Sequence, residues 1–124
     1  MPSLNFMECF AGMVERGEKT QTIRRSRKRP IKAGDTLSLY TGQRSKVCLK
    51  LGVGRCVRVR EIRIDEGCVA LDSVILDGFW PVMNIVKADG FDLPVDFLAF
   101  FRDRYGLPFE GVLIEWELEP KSDG

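Results

Sequence analysis

The chain has 124 residues, 44% of them apolar, and its near-neutral charge hides a division: residues 1–63 carry 15 Lys/Arg against 5 Asp/Glu, residues 64–124 carry 4 against 13. That length suits one domain, 1–124. No apolar run approaches the roughly 20 residues that cross a bilayer, and residues 1–16 lack the basic start and apolar stretch of an export signal, so a soluble cytoplasmic protein without membrane partners is expected. With no histidine and no C-x-x-C among its four cysteines, the chain excludes the usual zinc sets and every His-dependent triad, and neither metal nor cofactor is expected.

In chain order, Leu4, Met7, Phe10, Ala11 and Val14 fall at three- and four-residue steps. They predict an amphipathic helix over 3–16, with Ser3 as N-cap and Gly17 just past the end. Residues 17–30, GEKTQTIRRSRKRP, hold six Lys/Arg and one Glu and also alternate. A strand over 20–25 would put Thr20, Thr22 and Arg24 on one face and Gln21, Ile23 and Arg25 on the other. Pro30 stops regular structure, Ala33-Gly34-Asp35 is a turn, and Leu37 to Tyr40 make a short strand. The segment 41–46 reads as a polar loop.

From Val53 to Ile64 alternation returns, with a slip of phase at Glu61-Ile62 that predicts a bulge. Short strands follow at 69–71 and 74–76, and Asp89-Gly90-Phe91 is a turn. Pro94 suits a first helical position, Phe97, Leu98, Phe101 and Tyr105 form the stripe of a second helix ending at Gly106, and 112–117 alternate as a last strand. Phe79 and Trp80 beside Pro81 read as core or as a cleft wall. Cys9, Cys48, Cys56 and Cys68 read as free, mostly buried thiols, with a Cys48–Cys56 bridge across a hairpin as the alternative. Short strands with a helix near each end predict an α+β chain: a small curved mixed sheet or partly open barrel, with a cleft between its mouth and a helix.

Residues 17–24, GEKTQTIR, then Lys32-Ala33-Gly34-Asp35-Thr36-Leu37, then Ala88-Asp89-Gly90-Phe91, then Phe101 with Tyr105-Gly106, resemble the ASCH domain family, the activating-signal-cointegrator homology branch of the PUA-like superfamily. The order and rough spacing match over nearly the whole chain, and residues 39–46, LYTGQRSK, look like a phage or prophage subgroup. The resemblance implies a PUA-like β-barrel with flanking helices and a cleft for RNA or a modified nucleoside. Some small bacterial members are amidohydrolases that remove the acetyl group from N4-acetylcytidine, using a lysine and a threonine of a K-T-x-T segment and a glutamate before the second helix. Carried over, these are Lys19, Thr22 and Asp89. Aspartate is one methylene shorter than glutamate, so its carboxylate is expected to approach from a shifted backbone or through a water. Other members bind or cut RNA, so the expected deacylation of N4-acetylcytidine-type nucleosides stands beside an alternative, a non-catalytic RNA-binding module or weak ribonuclease.

Amide hydrolysis without metal or histidine needs an activated nucleophile, a base near neutrality and an oxyanion donor. Lysine holds its proton to about pH 10.4, but burial and neighbouring cations disfavour the ammonium, so crowding by Arg24 and Arg25 is expected to make Lys19 a base for Thr22. Three residues apart, the two would face opposite ways on a regular strand and converge only if the chain bends at Lys19, as Gly17 permits. Otherwise Lys19 is a solvated turn lysine, Thr22 an ordinary strand residue and Asp89 a turn cap. Thr20 and Arg24 share Thr22's face and are expected at the substrate. Tyr40 either stacks on a base or packs. Arg25, Arg27, Lys28, Arg29, Arg44 and Lys46 are expected to hold RNA phosphates, or simply to be solvated.

Overall fold

The computed structural model describes residues 2–43 and 45–120. In chain order its elements are β1 (Ser3–Phe6), α1 (Glu8–Glu15), β2 (Gln21–Arg24), β3 (Thr36–Thr41), β4 (Leu49–Ile64), β5 (Val69–Leu71), β6 (Val74–Ile75), α2 (Phe79–Ala88), α3 (Pro94–Tyr105) and β7 (Phe109–Leu118). The fold is α+β, as the element pattern predicts.

One mixed sheet holds all the strands. The long β4 pairs along one edge with β3 and then β5, and along the other with β7. β7 passes the sheet on to β2, and β3 passes it to β1, the one parallel pair among the described residues. That leaves β1 and β2 as facing free edges. Arginine side chains bridge them: Arg24 Nη2 donates to the Asn5 carbonyl at 2.6 Å and Arg27 Nη2 to the Ser3 carbonyl at 3.0 Å. The sheet therefore curls into a nearly closed barrel, and its seam is made of guanidinium groups where main-chain pairing would otherwise run.

Alternation divides two cores between the faces of this sheet. On β7, Ile114 and Trp116 join Leu4, Phe6, Val14, Leu37 and Leu39 inside the barrel beneath α1. Leu113 joins Ile23, Ile62, Ile64, Val86, Phe97 and Phe101 beneath α2 and α3.

Four expectations are corrected. Residues 3–6 are a strand, and the helix begins at Glu8 with Met7 as its cap. Leu4 fits helical and two-residue spacing alike, three residues before Met7 and two before Phe6, and the open edge of β3 takes the segment, with Leu4 opposite Leu39. The irregularity in β4 lies between Cys56 and Arg58. At 61–62 the ladder is regular; Val59 packs with the barrel core and Ile62 with the other, so an apolar residue on each face imitated a slip. The segment 79–88, for which the sequence pattern predicts no element, forms α2. Its N-terminal Phe79 and Trp80 belong to neither core, being 62% and 68% exposed. The four cysteines are free, but only Cys56 is buried; Cys48 is exposed and unbridged.

Candidate functional site

The turn after α1 sets the site. Gly17 takes a left-handed φ of 77°, and the N–H groups of Glu18 and Lys19 both donate to the Met13 carbonyl, at 2.8 and 3.0 Å. Lys19 therefore precedes the strand and escapes its alternation. Its side chain is 3% exposed. The ammonium nitrogen donates to the backbone carbonyl of Asp89 and lies 3.2 Å from Asp89 Oδ1 and 4.9 Å from the centre of the Phe10 ring.

Asp89 arrives from the far side as the C-cap of α2. The next residue, Gly90, has φ 99°, and a Cβ there would stand 3.0 Å from the Phe10 ring. Only glycine lets this turn press so close to α1, and the close approach delivers the short aspartate side chain directly to Lys19. Gln21 supports the same turn from β2, its amide donating to the Ile85 carbonyl at 3.1 Å.

Thr22 is buried on β2. Its hydroxyl oxygen accepts from Arg24 Nε at 3.0 Å, and the Arg24 guanidinium lies 5.1 Å from the centre of the Phe6 ring. The donation occupies a lone pair and leaves the threonine proton free to be given elsewhere.

Burial pushes the Lys19 amine below its ordinary value, against the pull of Asp89, with Arg24 adding a smaller push. Burial pushes the Asp89 carboxyl up, against Lys19 and, more weakly, Gln21 and Arg24. Burial also lowers Arg24; Arg27 and Arg104 act in the same direction, opposed by Tyr105 and Asp89. The expected crowding by Arg24 and Arg25 is thus secondary for Lys19: desolvation leads, and Arg25 lies elsewhere, its guanidinium 5.1 Å from the Tyr105 ring centre and 5.8 Å from that of Phe109.

Lys19, Thr22, Arg24 and Asp89 open on one pocket of about 100 Å³, walled by the aromatic rings of Phe10, Phe91, Phe100 and Tyr105, with Asn5 and Arg104 also lining it. Pockets for drug-sized ligands run from about 300 Å³ upward, so this one admits a single heteroaromatic ring with a small substituent. A broader depression of about 800 Å³, lined by Arg25, Glu61, Arg63 and Glu110, lies elsewhere on the sheet. It is open, and none of Lys19, Thr22, Arg24 and Asp89 lines it.

The remaining candidates disperse. Thr20 is half-buried and offers its carbonyl to the Trp116 N–H at 3.0 Å. Tyr40 faces Asn5 across the β1–β3 pair, with the Lys50 amine 6.0 Å from its ring centre, and does not line the pocket. Lys28, Arg29 and Lys46 are exposed, Arg27 is spent partly on the barrel seam, and Arg44 lies outside the described residues. Sequence reasoning missed Asn5, Phe10, Phe91, Phe100 and Arg104. The aromatic ones looked like core at helical spacing, and Arg104 is one of only four Lys/Arg in the acidic half, a signal that was there to be used.

No family model matches the sequence, and no curated protein matches it. Among solved structures, the chain is similar to a serine-to-alanine variant of ZmASCH, from Zymomonas mobilis. The TM-score is 0.55 at 13% identity, over 93% of this chain and 66% of that one. This likeness is one of fold: the chain shares the ASCH-type architecture and spans just under two thirds of that protein's length.

Proposed function

We propose that the chain is an ASCH-family amidohydrolase that deacylates N4-acetylcytidine-type nucleosides, with Lys19 as base, Thr22 as nucleophile and Asp89 as the group that orients Lys19. The observation that carries this reading is the buried Lys19–Asp89 pair opening on the same small aromatic pocket as Thr22. The aromatic walls suit a pyrimidine ring, and the pocket's size suits a base bearing a short acyl group.

The step runs as follows. The unprotonated Lys19 amine takes the Thr22 hydroxyl proton as Oγ attacks the acyl carbonyl carbon. Arg24, already donating to Oγ, stabilises the partial negative charge that Oγ carries as its proton leaves. The carbon–N4 bond breaks as Lys19 returns the proton to the departing exocyclic nitrogen. Water, deprotonated by Lys19, then attacks the Thr22 ester carbon; the ester C–O bond breaks as Lys19 returns that proton to Thr22 Oγ, and the carboxylic acid leaves and ionises in solvent. Asp89 holds the amine at the pocket wall throughout, through its carboxylate and its backbone carbonyl.

Incubation with N4-acetylcytidine, followed by ultraviolet absorbance, tests the reading. Turnover that disappears in Lys19→Met and Thr22→Val supports it. A second reading, an RNA-binding module, is favoured by exposed cations in the 25–29 segment that have no carboxylate at ion-pair distance among the described residues. Absent turnover in a preparation that binds single-stranded RNA decides for the second.

A further inference from the structure

We propose that the ligand of this pocket carries a phosphate, held at the mouth by Arg104 from α3 together with Arg24 from β2. The inference rests on the base-binding reading of the pocket, and it extends that reading to the part of the ligand the pocket cannot enclose.

A cavity of about 100 Å³ takes the base and leaves sugar and phosphate outside. Two of the side chains lining the cavity carry guanidinium cations. Arg104 lines the pocket, with its guanidinium 5.6 Å from the Phe100 ring centre and 6.0 Å from that of Tyr105, two of the walls. Its Nη1 donates to Met7 Sδ at 3.6 Å, a weak acceptor. Arg24 spends two donors on Thr22 and Asn5 and lines the same pocket.

These guanidinium groups differ from the others near them in lacking acids. Arg102, two residues before Arg104, pairs with Glu66; Arg58 pairs with Glu115 and Arg63 with Glu110. Among the described residues no carboxylate stands at ion-pair distance from Arg24, Arg27 or Arg104, and Asp89 is taken by Lys19. The charges also repel one another, Arg104 and Arg27 both disfavouring the Arg24 cation. A folded chain with 18 acidic residues places none of them at ion-pair distance from these guanidinium groups beside the small aromatic pocket, among the described residues. An anion at the mouth relieves that repulsion and completes the donors. The base and its acyl group are neutral, so the charge belongs to the phosphate of a nucleotide or of an RNA strand.

The test is calorimetric titration of the intact protein with cytidine, cytidine 5′-monophosphate and a short single-stranded oligoribonucleotide containing one cytidine. Wild type is expected to bind a phosphate-bearing probe at least about ten-fold tighter than cytidine. Arg104→Gln is expected to remove about ten-fold of that ratio and to lessen its dependence on salt, with Arg104→Lys retaining part of it. Arg102→Gln, on the same helix but paired with Glu66, is the control and leaves the ratio in place. Preference for the monophosphate assigns a free nucleotide; preference for the oligonucleotide over the monophosphate assigns RNA. Equal binding of all three probes, no binding of any, or a ratio that Arg104→Gln does not move overturns the proposal. Hydrolysis of N4-acetylcytidine is read separately. A phosphate preference without turnover sinks the catalytic reading alone, and turnover without the preference sinks this one alone.

Discussion

The small pocket beneath α3 and the broad depression beside β5 are both lined by arginines and acids, yet they differ in how those charges are answered. In the depression, Arg63 lies 3.0 Å from Glu110 and 3.7 Å from Asp65, all well exposed. In the pocket, the one ion pair is buried, and the guanidinium groups around it find only carbonyl, hydroxyl and sulfur acceptors. Exposed pairs contribute at most about 1 kcal/mol. A buried pair is paid for by desolvation and is weak as a stabilising device. The larger cavity is a surface shape; the smaller one concentrates unfavourable electrostatics that a fold has no reason to keep unless a ligand uses them.

The comparison breaks most sharply at Lys19. Lys19→Met is expected to lower turnover at least about 10³-fold, the scale of a lost general base with its nucleophile. It also strands Asp89, at a cost of about 3–5 kcal/mol at neutral pH, measurable by urea denaturation. The sign with pH follows from Asp89, whose folded value is raised above its ordinary 3.8 by burial and, without Lys19, rises further. Its penalty is absent below the unfolded value and grows as pH climbs through the folded one. The deficit of Lys19→Met is therefore expected to shrink as pH falls toward 3.8. The double variant Lys19→Met, Asp89→Leu is expected to recover most of the stability and none of the activity. A single variant as stable as wild type at pH 7 would show that the pair is not buried in solution.

Asp89→Asn sharpens the same contrast with a smaller effect. Asp89 is the main influence raising the Lys19 value against desolvation. Removing its charge lets the amine lose its proton more easily. The rising limb of the pH–rate profile is expected to move to lower pH, with a fall in maximal rate of about 10²-fold as the amine loses its orienting partner. A limb that moves to higher pH, or stays in place, would contradict the assignment of that limb to Lys19.

How far these features were legible depends on whether local pattern or distant contact fixes them. The alternation in 20–24, the turn at 89–91 and the helix from Pro94 are local, and each stands where its residues put it. The barrel was legible because strand-length segments repeat at short intervals. The N-terminal strand was not. Leu4 satisfies both periods, with Met7 three residues on and Phe6 two, and the edge of β3, more than thirty residues away, chooses between them. The bend at Lys19 was argued from Gly17 and the need to leave the strand, but the depth of the amine was invisible, because burial comes from Phe10 and the Gly90 turn folding over it. Tyr40 illustrates the opposite error. It belongs to a strand rich in apolar residues near the basic loop, and pairing with Asn5 of β1 on one side and Lys50 of β4 on the other leaves its ring outside the pocket lining.

Arg24 stands between the two kinds of charge, since it shapes both the seam and the pocket. Arg24→Gln is expected to cost about 1–2 kcal/mol for the lost charged hydrogen bonds to Asn5 and Thr22, and about ten-fold in turnover as the charged donor to the Thr22 oxygen is lost. Opening of the seam is checked by amide hydrogen exchange in β1 and β2, which is expected to speed up there and to stay unchanged in the β4–β7 ladder. Uniform exchange across the sheet would mean that the guanidinium bridge does not hold the barrel shut.

The depression supplies the smallest expected effect. Arg63→Ala removes a guanidinium whose partners, Glu110 and Asp65, are themselves 72% and 39% exposed. Water replaces it at both carboxylates, so the stability change is expected to stay within about 1 kcal/mol and turnover to be unchanged. The same substitution leaves β4 paired with β7 on one side and β5 on the other, because those ladders are main-chain bonds. If Arg63→Ala instead reduced turnover as much as Arg24→Gln, the ligand would have to reach across the sheet into the depression, and the division between a working pocket and a passive one would fail.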